Sequence, residues 1–207
     1  MPEHGDGLIS KYLNRPLSKR LTKCILHFSP NCNPNLISIC SAVVGFIGAI
    51  LFAIEIPIIA AILVQASSII DGSDGEVARA NKRASFYGGF FDSVIDRYVE
   101  FFVILGLIFF SLNFLPLEFT LFLGMLTLSG SFLTSYTASK VESKDEIDFS
   151  RTFQGRDTRL FLIFLAGILT FISEWTIPVC MILISILTHS SIVLRIRQVK
   201  KQSIQNQ

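Results

Sequence analysis

Four aspartates, Asp71, Asp74, Asp92 and Asp96, lie within the stretch Ile69 to Glu100, with apolar runs on both sides, Ile56 to Ile70 and Phe101 to Leu112. A carboxylate inside an apolar segment is costly to keep ionised, so a set of four requires a compensating cation or a water-filled cavity. The polar run Asn81 to Ala84 predicts a turn. Folding the chain there into two antiparallel helices sets Asp71 level with Asp96 and Asp74 level with Asp92. On each helix the pair is spaced i,i+3 or i,i+4 and so shares one face. Carboxylates gathered at one depth repel unless something positive sits among them. Hard divalent cations meet that need, because Mg²⁺ or Mn²⁺ prefers carboxylate oxygen and keeps positions open for substrate phosphates. Two such ions about 3.5–4 Å apart can neutralise a diphosphate and stabilise the attacking and leaving oxygens of a phosphoryl transfer.

The elements around these acids follow from composition and pattern. Of 207 residues, 51% are apolar and only 16% are charged, which excludes an ordinary soluble domain and predicts an all-α membrane protein. Six apolar segments, near 35–54, 56–80, 85–113, 117–140, 158–173 and 175–197, read as transmembrane helices, the fifth being short for a span of about 20 residues. Ahead of them, Leu8 to Phe28 mixes apolar residues at helical spacing with Lys11, Arg15, Lys19, Arg20 and Lys23. That segment reads as an interfacial amphipathic helix interrupted at Pro16. The chain thus divides into a leader and juxtamembrane helix over 1–34, a six-helix domain over 35–200 and a tail over 201–207. Met1 to Gly7 is polar and does not read as a cleavable signal peptide. The cysteines Cys24, Cys32, Cys40 and Cys180 show no pairing pattern, so neither zinc nor a disulfide framework is indicated.

All 18 Lys and Arg fall before residue 30, at 79–83, at Arg97, at 140–159 or at 195–201, and none in the opposite loops, which carry Glu55, Glu118 and Glu174. The positive-inside rule therefore predicts both termini, and the mouth of the acidic hairpin, on the cytoplasmic side of a multi-pass protein of the cell membrane. Gly72 and Gly75 beside Asp74, and Gly88 and Gly89 one turn before Asp92, add a further cue. Glycine in a helix costs roughly 1 kcal/mol against alanine, so these positions predict close approach by a ligand or a neighbouring helix.

The pattern Asp71-x2-Asp74-Gly75-x2-Ala78-Arg79, eight residues, then Gly88-x3-Asp92-x3-Asp96 resembles the signature of the CDP-alcohol phosphotransferase (CDP-alcohol phosphatidyltransferase) family at all eight positions. Pro34-Asn35 and Arg156-Asp157 extend the resemblance through the membrane region. It implies a transferase that moves a phospho-alcohol group from a CDP-alcohol to an acceptor hydroxyl and releases CMP. It also implies two Mg²⁺ or Mn²⁺ ions on Asp71, Asp74 and Asp92, with Asp96 as general base touching the second metal. Asp71, Gly75, Ala78, Arg79 and Gly88 would hold the CDP-alcohol, and the enzyme would be a homodimer. The stretches SSIIDGSDGE and GGFFDSVIDRY are similar to the di-myo-inositol phosphate synthase subgroup. That likeness implies CDP-inositol and inositol 1-phosphate as substrates and a cytidylyltransferase as fused or functional partner. The alternative inside the family is a phospholipid synthase joining CDP-diacylglycerol or CDP-archaeol to inositol phosphate, glycerol phosphate or serine.

A second basic set, Lys140, Arg151, Arg156, Arg159 and Arg195, lies near cytoplasmic helix ends. Guanidinium groups pair bidentately with phosphate, so these residues are candidates for a phosphorylated acceptor, Arg156 and Arg159 first because they share a helical face. The competing reading is a basic loop facing anionic lipid. Glu100, one turn past Asp96, would hold Arg97 or a neighbouring helix. From another class, a divalent-cation transporter would also need intramembrane carboxylates, though near the midplane and without arginines beside them. Nothing points to nucleic acid.

Overall fold

The computed structural model describes Gly7, residues 9–142 and residues 155–205, and no strand occurs among them. A π-helical turn, Ser10–Asn14, leads into α1 (Arg15–Phe28), followed by α2 (Pro34–Ala53), α3 (Pro57–Ala80), α4 (Phe86–Ser111), α5 (Leu117–Glu142), α6 (Arg156–Leu169) and α7 (Thr176–Gln205). Local chemistry sets several starts. Asn33 accepts the Asn35 N–H at 3.1 Å and Pro34 opens α2, where its missing donor costs nothing. Ser85 caps α4 by accepting the Gly88 N–H at 3.1 Å. The expected turn between the acidic helices is residues 81–85, with Lys82 in the left-handed region at φ 53°. Pro16 does not break the first helix. It lies in the opening turn of α1, and the chain before it stays helical as the π turn.

Among the described residues four helices, α2, α3, α5 and α7, are long and apolar enough to cross a membrane. The 26-residue α4 has the length but carries Asp92, Asp96, Arg97 and Glu100, and α6 has 14 residues. α2 packs on both α3 and α4, α5 packs on α7, and the two groups join through α6, which packs on α3 and α7, and through α4 with α5. Small residues let the backbones close up, as between membrane helices generally. A Cβ at Gly45 would lie 2.6 Å from Val99, and one at Gly106 would run into the Ala49 carbonyl. The apolar core of Phe52, Ala61, Val64, Leu107, Ile163 and Met181 fills the half of the bundle away from the acids.

α1 is held by a polar stripe. Its buried residues, continuing from the π turn, are Ser10, Asn14, Ser18 and Thr22, one every fourth residue, while Tyr12, Leu17 and Phe28 stay exposed. Ser18 and Thr22 donate to the Glu76 carboxylate at 2.9 and 2.8 Å. Asn14 donates to Ser68 at 3.1 Å and accepts from Gln65 at 2.8 Å. Hydroxyls and amides thus dock this helix on α3.

Candidate active site

Three of the four acidic side chains meet across the hairpin. One carboxylate oxygen from each of Asp71, Asp74 and Asp92 lies within 4.8 Å of the others, a donor set able to hold a metal ion. α2 orients two of the three. Ser38 donates to Asp74 Oδ2 and Ser41 to Asp71 Oδ1 at 3.2 Å, and the Gly75 N–H donates to Asp74 Oδ1. Asp92 Oδ1 is buried with no hydrogen-bond partner among the described residues. A buried carboxylate oxygen without a donor, beside two further carboxylates, is the chemistry of a divalent-cation ligand, so the residues present fit the expected metal.

Asp96, one turn further along α4, lies outside that trio. Its Oδ1 is 2.6 Å from Arg156 Nη1, and the same nitrogen is 2.7 Å from Asp71 Oδ2. Asp71 and Asp96 are therefore level across the hairpin, bridged by an arginine from α6. Two other donors of that guanidinium, Nε and Nη2, are buried without an acceptor among the described residues. Glu100, another turn on, is 1% exposed and has both oxygens occupied, Oε1 by Arg159 Nε at 2.5 Å and Oε2 by Arg97 Nη1 at 2.9 Å. It holds both Arg97 and a neighbouring helix.

A cavity of about 290 Å³ opens beside the trio between α2, α3 and α4. Of the eight signature positions, six line it: Asp74, Gly75, Ala78, Arg79, Gly88 and Asp92. The glycines divide by role. A Cβ at Gly75 would sit 3.3 Å from the Arg79 guanidinium, and one at Gly89 would enter open space at the cavity wall. Gly72 instead faces α1, where a Cβ would meet Ser18 at 3.3 Å.

Of the five basic residues read as acceptor ligands, the four described ones do not converge. Arg156 stands among the aspartates, and Arg159 is buried on Glu100. Arg195 donates to the Thr134 carbonyl and to Thr137 Oγ1 at 2.9 Å on α5. Lys140 is exposed on α5, and Arg151 lies outside the described residues. Arg156 and Arg159 share a helix yet separate, because Asp96 and Glu100 are themselves one turn apart on α4.

The sequence pattern does not single out Ser38, Ser41 or Arg83, and Asn35 enters it only beside Pro34 as part of the family resemblance, although Asn33, Asn35 and Arg83 line the cavity wall. Nor does it single out a clasp in which Ser68, held by Asn14, donates to Asp157 at 3.2 Å and so ties α3 to the residue beside Arg156. The fourfold spacing of Ser10, Asn14, Ser18 and Thr22 was the available cue.

The family model described as CDP-alcohol phosphatidyltransferase matches residues 31–194. A bifunctional IPC transferase and DIPP synthase of Archaeoglobus fulgidus is 35% identical over 183 residues, covering 83% of this chain and 34% of that protein. The chain thus spans about a third of the length of that bifunctional relative. An archaetidylinositol phosphate synthase of Pyrococcus horikoshii is 26% identical, covering 82% of this chain and 84% of that one. The crystal structure of Mycobacterium tuberculosis phosphatidylinositol phosphate synthase with CDP-DAG bound superposes with a TM-score of 0.71 at 20% identity, over 89% of this chain and 94% of that one. The same enzyme with manganese and citrate gives 0.72 at 19% identity, over 88% of each chain. These likenesses show a shared fold.

Proposed function

Because the chain belongs to the CDP-alcohol phosphatidyltransferase family, we propose that it is an integral membrane transferase moving a phospho-alcohol group from a CDP-alcohol to an acceptor hydroxyl, with CMP as the leaving group. The observation that carries this reading is the carboxylate trio opening onto a cavity lined by six signature residues. Asp71, Asp74 and Asp92 hold the divalent metal, Mg²⁺ or Mn²⁺. When bound, the metal neutralises the diphosphate and the charge that develops on the departing CMP. Gly75, Ala78 and Gly88 give the nucleotide close access to backbone, and Arg79 faces its phosphates. Ser38 and Ser41 keep the α3 carboxylates aimed into the site.

Asp96 takes the proton of the acceptor hydroxyl. The acceptor oxygen then bonds to the phosphorus bearing the alcohol, the bond between that phosphorus and the bridging oxygen breaks, and CMP leaves with the bridging oxygen. The contact with Arg156 fixes the Asp96 carboxylate in place for that transfer. The two unpartnered donors of Arg156 suit a phosphate on the acceptor, which places that group beside the base. Arg159 and Arg195 hold helices, and Lys140 and Arg151 remain the candidates to bind the acceptor's phosphate through charge.

For substrates, we favour CDP-inositol and inositol 1-phosphate, giving di-myo-inositol phosphate phosphate, on the 35% identity to a DIPP synthase. The lipid alternative, with CDP-archaeol or CDP-diacylglycerol, draws support from the archaetidylinositol phosphate synthase that matches along 84% of its length. α2 to α7 would form six spans with α1 at the interface. The basic residues would put both termini and the site on the cytoplasmic side. A homodimer and a cytidylyltransferase partner complete the proposal, the latter supported by the bifunctional relatives.

The test is CMP release by purified protein across a panel of CDP-alcohols and acceptors. We expect release with Mg²⁺ or Mn²⁺, none with excess chelator, and recovery when metal returns. Undiminished turnover in chelator would sink the metal assignment, and no release with any CDP-alcohol would sink the reaction.

A further inference from the structure

Three polar side chains outside the family signature lie buried around the part of α3 that precedes Asp71: Asn14 is 4% exposed, Gln65 6% and Ser68 3%. Their hydrogen bonds run in one direction. Gln65 Nε2 donates to Asn14 Oδ1 at 2.8 Å, Asn14 Nδ2 donates to Ser68 Oγ at 3.1 Å, and the Ser68 hydroxyl donates to Asp157 Oδ1 at 3.2 Å. Because Gln65 places a donor on the Asn14 carbonyl oxygen, the Asn14 amide presents its nitrogen to Ser68. Ser68 Oγ accepts on that side, and its one proton turns to the carboxylate. Every dipole in the series points toward the negative charge of Asp157, so each bond polarises the next. The relay joins the π turn ahead of α1, the middle of α3 and the first turn of α6.

Its end point matters because of the neighbouring residue. Ser68 and Asp71 are spaced i,i+3 on one face of α3, and they hold consecutive residues of α6. Ser68 takes Asp157, and Asp71 takes Arg156 at 2.7 Å. Consecutive side chains leave a helix about 100° apart, so two such attachments fix the rotation of α6 about its axis as well as its distance from α3. Local capping does not fix it, since the N-cap of α6 is Gly155 with no side-chain hydrogen bond. Arg156 depends on that rotation. Its Nη1 spans Asp71 Oδ2 and Asp96 Oδ1, while Nε and Nη2, the donors left for a phosphate, are buried without an acceptor among the described residues. A guanidinium fork loses its aim when the backbone beneath it turns, because its donors sit in a rigid plane.

We propose that Asn14, Ser68 and Asp157 are positioning residues for the acceptor, a relay by which the helix ahead of the membrane domain sets the rotation of α6 and aims Arg156 at the acceptor's phosphate. The inference rests on Arg156 being the phosphate ligand proposed above. None of the three residues lines the nucleotide cavity, so the effect falls on the acceptor alone.

The experiment follows inositol 1-phosphate in two ways on the full chain, by calorimetric titration and as the acceptor KM in CMP release from CDP-inositol. Ser68→Ala removes one oxygen and adds no bulk. It should weaken the calorimetric affinity and raise the acceptor KM, each about threefold to tenfold, the worth of one net hydrogen bond. The CDP-inositol KM and the Mn²⁺ affinity should stay within about twofold of the parent, whereas a tie that is merely structural would move all of these constants together. Asp157→Ala should match Ser68→Ala, and Asp157→Asn, which keeps a carbonyl oxygen for the Ser68 proton, should retain the parent values. Arg156→Ala should raise the acceptor KM, and Ser68→Ala added to it should change nothing further. An acceptor KM that rises in Arg156→Ala but not in Ser68→Ala, or a Ser68→Ala effect that persists in full without Arg156, overturns the relay and leaves the ligand assignment standing. If the parent does not bind inositol 1-phosphate, or Arg156→Ala binds it as the parent does, the ligand assignment fails and the relay falls with it.

Discussion

Along one helix, α4, two carboxylates two turns apart meet opposite treatments. Asp92 faces Asp71 and Asp74, and its Oδ1 is buried with no donor among the described residues. Glu100 has a guanidinium on each oxygen, Arg159 on one and Arg97 on the other. At Glu100 the protein supplies its own cations, and the result is a closed tie between α4, α6 and α5. At Asp92 it supplies none, and the supporting hydroxyls of Ser38 and Ser41 aim the neighbouring carboxylates without neutralising them. Buried ion pairs that are complete hold structure, while buried charge left incomplete asks for a ligand. Asp96 stands between the two in position and in kind, with one close arginine that it shares with Asp71 and a second, Arg97, at 3.9 Å.

The largest effect should come from the open end. Asp74→Ala and Asp92→Ala should abolish Mn²⁺ binding in a calorimetric titration, and turnover with it, while the helical circular dichroism stays intact. Metal binding that survives both substitutions would erase the distinction between the two ends of α4. Next comes the middle position. Asp96→Asn should bind CDP-alcohol and metal nearly normally yet lose turnover by about 10²–10⁴, the usual worth of a general base. If metal affinity falls instead, Asp96 belongs with Asp92. The smallest effect on chemistry, and the sharpest contrast, lies at the closed end. Glu100→Gln should leave metal affinity unchanged and lower the thermal or denaturant stability, toward the about 3–5 kcal/mol lost when one partner of a buried ion pair is removed. A Glu100→Gln protein as stable as the parent but impaired in metal binding would reverse the comparison.

The spacing of Asp71, Asp74, Asp92 and Asp96 and the turn at 81–85 are local quantities. Helix periodicity converts them into height and face without knowledge of the rest of the chain, so the hairpin and its carboxylate trio were legible. So were the start of α2 at Asn33-Pro34 and the membrane character, since capping chemistry and mean hydropathy depend on near neighbours alone. The partners were not legible. Ser38 and Ser41 look like any small residues in an apolar helix until α2 is rotated against α3. Arg156 and Arg159, three residues apart, read as one pair of phosphate ligands, and the packing of α6 against α4 sends them to Asp96 and Glu100 separately. α1 docks through Asn14, Ser18 and Thr22, where amphipathic reasoning weighs only apolar stripes. In each case the deciding contact joins residues more than 20 positions apart, and its geometry is set by helix rotations that no local pattern encodes.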